Sequence, residues 1–291
     1  NQSFLYLLPQ RTQATEREII MKLSEISRPP AILAISESGK GKTRLVGSFA
    51  QLMPTVILTA DRTGLDTLEG WSWPAGEPEY ILVDDWKDPW TVYDKVAELA
   101  KTKKYLAIDD LGKIQKVIER ELRGHARGKD EERMRADVRE KTIRQSMLEG
   151  GRRLAINQWG ELDIALNSFL DEVLKLPFAL TVVTVLEETR THPRTDDIHV
   201  YPNLVGGIRD DLNARFSLVL NLFNTELKEK MVWAASCRPH PRLPNKTRYG
   251  EPRTWIDPTA PRIMRHVLRK EVTADKETAD GEKINVDVVS N

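Results

Sequence analysis

Residues 31–43, Ala-Ile-Leu-Ala-Ile-Ser-Glu-Ser-Gly-Lys-Gly-Lys-Thr, constrain this chain more than any other segment. An apolar run of strand length (31–35) feeds a small polar loop that ends Gly41-Lys42-Thr43. A helix-compatible segment, 44–52, follows at once. Strand, loop and helix in that order form the context in which a phosphate-binding loop works. The backbone N–H groups of Ser36, Glu37, Ser38, Gly39, Lys40, Gly41, Lys42, Thr43 and Arg44 would face polyphosphate oxygens at a helix N-terminus. Lys42 would reach the β- and γ-phosphates of a nucleoside triphosphate, and the Thr43 hydroxyl would ligate Mg²⁺. One letter departs from the pattern: Ser36 stands where glycine is usual. Serine can open such a loop provided its φ stays negative.

The rest of the chain reads as a sheet wound with helices. Short apolar stretches at 55–59, 80–83, 105–108, 178–186 and 216–223 suggest strands, and helical stripes fall at 15–26, 91–101 and 158–175. Near-continuous apolar strands alternating with helices predict an α/β fold with a mostly parallel central sheet covered on both faces. The expected organisation is an N-terminal helical segment (1–30), an ATPase core (31–235), a basic hairpin and helix (236–270) and an acidic tail without core-facing pattern (271–291). Residues 115–153 hold 12 Lys/Arg and 8 Asp/Glu, which suggests a charged helical excursion from the core. Residues 228–270 hold 11 Lys/Arg against 3 Asp/Glu, and 271–291 hold 2 against 6, so a net charge of zero conceals a basic segment followed by an acidic one.

Hydrophobic residues make up 40% of the chain and charged ones 30%, enough for a core and unlike a disordered or collagen-like chain. Cys237 is the single cysteine, which predicts a reducing compartment. With no apolar run of membrane-spanning length and no signal-peptide layout, a cytoplasmic protein without a membrane partner is expected (host cytoplasm if viral).

A second motif strengthens the first. The strand 105–108 delivers Asp109 and Asp110 to the carboxyl edge of the sheet, where ligands of open α/β sheets sit. Asp109 is the expected Mg²⁺-holding carboxylate, since Mg²⁺ takes few direct protein oxygens and keeps several waters. The run 80–85 ends on Asp84-Asp85 and mimics it, but the later strand is preceded by a helix and followed by Leu111-Gly112. An Asp pair after a strand also serves as a helix cap or turn former.

These pieces resemble a family. The loop 36–43, the run Leu-Thr-Ala-Asp-Arg-Thr-Gly-Leu-Asp-Thr-Leu at 58–68 and Leu-Ala-Ile-Asp-Asp-Leu at 106–111 carry the likeness. So do Gln-Trp-Gly-Glu-Leu at 158–162, Leu-Pro-Phe-Ala-Leu-Thr-Val-Val-Thr at 176–184, Tyr-Pro-Asn-Leu-Val-Gly at 201–206 and Asn-Lys-Thr-Arg-Tyr-Gly at 245–250. Together they look like the phage-encoded, RecA-like P-loop ATPases of single-strand annealing and homologous recombination, short relatives of the RecA and RadA core. The resemblance implies ATP hydrolysis with Mg²⁺, single-stranded DNA as partner, self-association into a ring or filament and, as a further candidate partner, a single-strand-binding protein. It also implies that Lys246 and Arg248 contact the terminal phosphate held by a neighbouring subunit, although a solvated basic hairpin tip would present the same residues.

Family members often carry an acidic residue where Thr63 stands. Its absence leaves Asp61, Asp84 or Asp85 to position the attacking water, or implies slow turnover unless DNA or neighbours assist. The stretch 187–209, with Arg190, His192, Arg194, His199, Tyr201 and Arg209, reads as a loop that suits single-stranded nucleic acid through phosphate attraction and base stacking. Asp196, Asp197, Asp210 and Asp211 offset its arginines, so a nucleotide-sensing lid fits as well. His192 and His199 lack the companions of a metal site. Trp71, Trp73, Trp86 and Trp90 fit loop packing by default. A reading from another class stays open: a nucleotide-dependent assembly or regulatory module with little hydrolysis and no DNA binding.

Overall fold

The computed structural model describes residues 29–83, 89–131, 156–191, 197–205 and 207–268. The expected N-terminal helix, Asp84 and Asp85, most of the charged excursion (132–153), His192, Arg194 and the acidic tail lie outside the described residues.

The described residues form a sheet of ten strands. It begins with β1 (Ala31–Ser36), α1 (Lys42–Ala50), β2 (Thr55–Thr59), a 3₁₀ turn (Thr63–Leu68), β3 (Glu79–Leu82), α2 (Pro89–Leu99), β4 (Tyr105–Ile108) and α3 (Leu111–Glu131). It continues with α4 (Ile156–Val173), β5 (Leu180–Thr191), β6 (Ile198–Pro202), α5 (Ile208–Arg215), β7 (Leu218–Leu227), β8 (Lys230–Ser236), β9 (Lys246–Thr247), β10 (Thr254–Ile256) and α6 (Ala260–Val267). The main order is β10-β8-β7-β1-β5-β4-β2-β3. From β7 to β3 every neighbouring pair is parallel, while β8 and β10 extend the sheet antiparallel. The expected α/β class with a mostly parallel, two-sided sheet is what the chain adopts.

Alternation along β1 explains the two faces. Leu33 and Ile35 join the core beneath α2, α3 and α4 through Val96, Ile114, Ile118, Leu166 and Leu170. Ile32 and Ala34 face the other core, under α1 and α6, with Phe49, Tyr105, Ile263 and Met264. A strand with neighbours on both edges and helices on both faces can be apolar throughout, which is why 31–35 carries no polar residue. Phe49 and Tyr105 are fully buried with ring centroids 5.7 Å apart, each burial contributing about 1.5–3 kcal/mol.

Several expectations are refined. The strand expected at 178–186 continues to Thr191, and the stretch expected as a loop pairs back on it as β6, from Glu187 opposite Pro202 to Thr191 opposite Ile198. Thr189, Ile198 and Val200 give this hairpin the β-branched content that favours pleated backbone. The strand expected at 216–223 runs from Leu218 to Leu227. Within the basic segment 236–270, β9 and β10 join the main sheet, and α6 packs on α1 with the Ser48 hydroxyl accepting the Ala260 N–H at 3.0 Å. Trp71 and Trp73 stack at 6.1 Å and pack against the α1-side core, as loop packing predicts. Among the described residues no helix is long and apolar enough to cross a membrane.

Candidate functional site: a phosphate-binding loop facing two strand ends

The loop after β1 is shaped by two glycines in the left-handed region, Gly39 (φ 73°) and Gly41 (φ 84°). Gly41 meets a second demand: a Cβ there would lie 2.6 Å from Nε1 of Trp233. That indole donates to the Lys40 carbonyl at 3.0 Å, so β8 holds the loop from outside. Ser36 resolves the odd letter in the motif by remaining in β1, buried and extended, with its hydroxyl on the Glu37 carbonyl at 2.9 Å. Gly41 caps α1 without a side chain, and the first turn of that helix contains no acid. Its free N–H groups and positive dipole end therefore face the loop's concavity, an arrangement that favours an anion.

Lys42 folds over the loop, donating to the carbonyls of Glu37 (2.9 Å) and Ser36 (3.3 Å) and to Ser36 Oγ (3.3 Å). Burial holds its pKa below the ordinary lysine value, against the pull of Asp110, Asp109 and Glu187. Thr43 donates to Asp109 Oδ2 at 2.8 Å, and Thr184 of β5 donates to Asp109 Oδ1 at 2.5 Å. Asp109 is buried, and its two hydroxyl partners orient it at the end of β4. Hard oxygens from Thr43 and Asp109, side by side at a phosphate loop, form a donor set that suits Mg²⁺.

Asp110 turns away from that pair to accept the Gly112 N–H at 2.7 Å, at the start of α3. Burial pushes its pKa up to about 6, opposed by the Gly112 hydrogen bond and Lys42, with Asp109 repelling it. Asp61, just beyond β2, accepts from Thr63 Oγ1 at 2.8 Å and pairs with Lys113 of α3. Burial alone would raise the Asp61 pKa; its bonds from Lys113, Thr63 and Gly64 overcome that and hold it low. Glu187, within β5 where β6 begins to pair with it, is pushed up by burial and by Glu37, and accepts from Asn221 at 3.2 Å. Lys42, Thr43, Asp61, Asp109, Asp110 and Lys113 line a cleft of about 450 Å³ that also reaches Trp233.

The structure thus gathers residues 38–44, Asp61 and Asp109 at one cleft. The rival strand lies at the sheet's edge with half-exposed residues, whereas β4 is central and fully buried. Lys246 and Arg248 stand elsewhere, at the amino end of β7. Lys246 pairs opposite Val219 and its ammonium is bonded to the Asn213 carbonyl, while Arg248 donates to the Ala214 carbonyl at 3.2 Å. Lys246 is half-buried and Arg248 exposed, and neither lines the cleft at its own chain's phosphate loop.

Lys113, Thr184, Asn224 and Trp233 escaped the sequence reading. Thr184 had a signal, as a polar residue inside a buried strand. Lys113 had a fainter one, as a cation in the first turn of a helix, where the dipole disfavours it. Trp233 follows the loop by nearly two hundred positions and had none.

A mostly parallel α/β sheet, a glycine-shaped loop ahead of a helix and a lysine folded over that loop give the chain a concave site whose donors suit a polyphosphate. Compared with known proteins, the chain matches no family model and no curated protein. Among solved structures it is similar to a KaiC-like protein from the hyperthermophilic archaeon Pyrococcus horikoshii OT3, with 15% identity over 79% of this chain and 83% of that one and a TM-score of 0.41.

Proposed function

We propose that this protein is a RecA-like ATPase of the phage recombination type, which binds ATP with Mg²⁺ and acts on single-stranded DNA as a ring or filament. The observation that carries the reading is the convergence of Lys42, Thr43 and Asp109 around an uncapped helix N-terminus. Lys42 would exchange its loop carbonyls for terminal phosphate oxygens. Thr43 and Asp109 would hold Mg²⁺, which when bound neutralises charge on the phosphates. Asp61 stands at the strand end from which a carboxylate can orient water, the role left open by Thr63. Hydrolysis breaks the bond between the terminal phosphorus and its bridging oxygen, and positioned charge is the main contribution a protein makes to it.

Support for a DNA partner comes from the β5–β6 hairpin. Tyr201 stacks with His199 at 6.3 Å and lies under the Arg209 guanidinium at 5.6 Å. The Arg190–Glu188 ion pair at 2.8 Å offsets one of the positive charges there. Lys246 and Arg248, remote from their own loop, would complete a neighbour's site.

The test is a calorimetric titration of wild type and Lys42→Ala with a non-hydrolysable ATP analogue, followed by electrophoretic shifts of a single-stranded oligonucleotide across a salt series. Lys42→Ala should lose at least about tenfold in nucleotide affinity, and the wild type should shift DNA more strongly with the analogue than without it. Equal nucleotide affinity in a folded Lys42→Ala protein would remove the ATPase reading. Nucleotide binding with no DNA shift at any salt would leave an assembly or regulatory module in its place.

A further inference from the structure

Lys113 occupies an electrostatically awkward place. It lies in the first turn of α3, at the positive end of the helix dipole, where a cation is disfavoured unless something offsets it. The offset is Asp61. That carboxylate is fixed from the other side, taking the Thr63 hydroxyl on Oδ1 while its backbone N–H bonds the Thr59 hydroxyl at 3.0 Å. Gly64 makes room for it, since a Cβ there would come within 2.9 Å of Asp61 Oδ2. The carboxylate is therefore anchored and the ammonium is the movable partner. Lys113 carries a compact charge on a flexible four-carbon stem, and its side chain is 38% exposed.

Both partners line the same cleft as Lys42, Thr43 and Asp109. Lys113 lies close enough to Lys42 and Asp110 for its charge to act on both. These two lysines are each satisfied by the protein itself, Lys42 by loop carbonyls and Lys113 by Asp61. A triphosphate brings concentrated negative charge to the space between them, where Lys113 must choose between one carboxylate and a terminal phosphate. A diphosphate leaves the outermost position empty and presents no such choice.

We propose that Lys113 is a terminal-phosphate sensor. It is paired with Asp61 when that position is empty, and it turns to the phosphate when a triphosphate binds, releasing the Asp61 carboxylate to orient water. Asp61 is thereby masked until the substrate that needs it is in place. This inference rests on the nucleotide-binding reading above and adds to it how the site distinguishes triphosphate from diphosphate.

The experiment measures calorimetric affinities for ADP and for a non-hydrolysable ATP analogue, each with Mg²⁺, at fixed ionic strength. Three proteins are compared with the wild type: Lys113→Met, Lys113→Arg and Asp61→Asn. Lys113→Met should weaken the triphosphate analogue by about tenfold while leaving ADP within about twofold. Lys113→Arg should keep most of the preference. Asp61→Asn removes the competitor and should tighten the analogue several-fold, again with ADP unchanged. Opposite signs from the two members of one ion pair cannot come from a merely structural salt bridge, whose loss would move both in the same direction. If either Lys113→Met or Asp61→Asn folds poorly, the other decides, since each predicts a change confined to the triphosphate. An analogue-to-ADP ratio equal to the wild type's in the folded variants overturns the sensor and leaves nucleotide binding intact. A wild-type protein that binds neither nucleotide overturns both.

Discussion

Asp110 shows what this site costs at the level of one residue. It is 5% exposed, and its pKa of about 6 arises first from burial, with the Gly112 N–H and Lys42 only partly compensating. A carboxyl whose folded pKa exceeds its unfolded value stabilises the fold at pH below the unfolded value, about 3.9, and loses that contribution as pH rises through the folded one. The window is therefore about pH 4 to 6, and two units correspond to at most about 3 kcal/mol. Asp110→Asn, which keeps an oxygen for the Gly112 N–H, should stabilise the nucleotide-free protein at neutral pH by about 1–3 kcal/mol. The gain should shrink as pH falls through about 6 and vanish toward about pH 3, where Asp110 is uncharged in both states. Thermal unfolding at several pH values checks this, and a gain independent of pH would show that charge is not the cause. Lys42, Thr43 and Asp109 were legible in sequence because local motifs carry them. Asp61 and Lys113 stand more than fifty positions apart, and nothing local links them.

At the scale of elements, the phosphate loop is held by a strand from the far end of the chain. The β7–β8 hairpin brings Trp233 onto the Lys40 carbonyl, with Arg44 stacked on the indole at 4.8 Å and reaching Asp257 at 3.4 Å. Gly39 and Gly41 share a left-handed backbone but not their surroundings, since nothing lies within 4 Å of a Cβ at Gly39. Gly39→Ala should thus cost only backbone strain, about 1–2 kcal/mol. Gly41→Ala adds a collision with Trp233, so ADP affinity should fall at least about tenfold further. Comparable losses in the two variants would mean that Trp233 does not define the loop. The indole's position also makes tryptophan fluorescence a direct readout of these titrations. The glycine spacing was visible in the sequence, but the reason Gly41 tolerates no substitution was not, because it depends on a strand that pairs two neighbours away from β1.

For the molecule as a whole, the two ends of the parallel sheet carry different groups. The carboxyl ends of β1, β4 and β2 hold the cleft, and the amino end of β7 carries Lys246 and Arg248, bonded to the C-terminal carbonyls of α5. If those cations serve a neighbour, subunits must associate head to tail, which gives closed rings or open filaments. Arg248→Ala should then bind ATP almost normally and hydrolyse it at least about tenfold more slowly, since cations supplied this way contribute on the order of 10³–10⁵ in rate. Mixing it with the Lys42→Ala protein should restore part of the activity, because one subunit keeps a sound phosphate loop and the other a sound Arg248. Turnover that is independent of protein concentration, from a species that sediments as a monomer with ATP, would exclude a shared site.

The sequence alone determined whatever depends on local periodicity and local spacing. Apolar strands of four to six residues reported a two-sided sheet, and thirteen consecutive letters reported a phosphate loop, because strand burial and loop geometry are set by neighbours along the chain. The order of elements favoured Asp109 over the look-alike run after β3, and the tertiary structure supplied the reason, placing β4 at the centre of the sheet with Asp109 against Thr43 and β3 at its edge. The tertiary structure alone decided that 187–191 pairs with 198–202, that β9, β10 and α6 belong to the main sheet and core, and that Lys113 pairs with Asp61. Each of these is a pairing between distant segments. Such pairings are set by which surfaces can be buried together, and no window of sequence contains both partners.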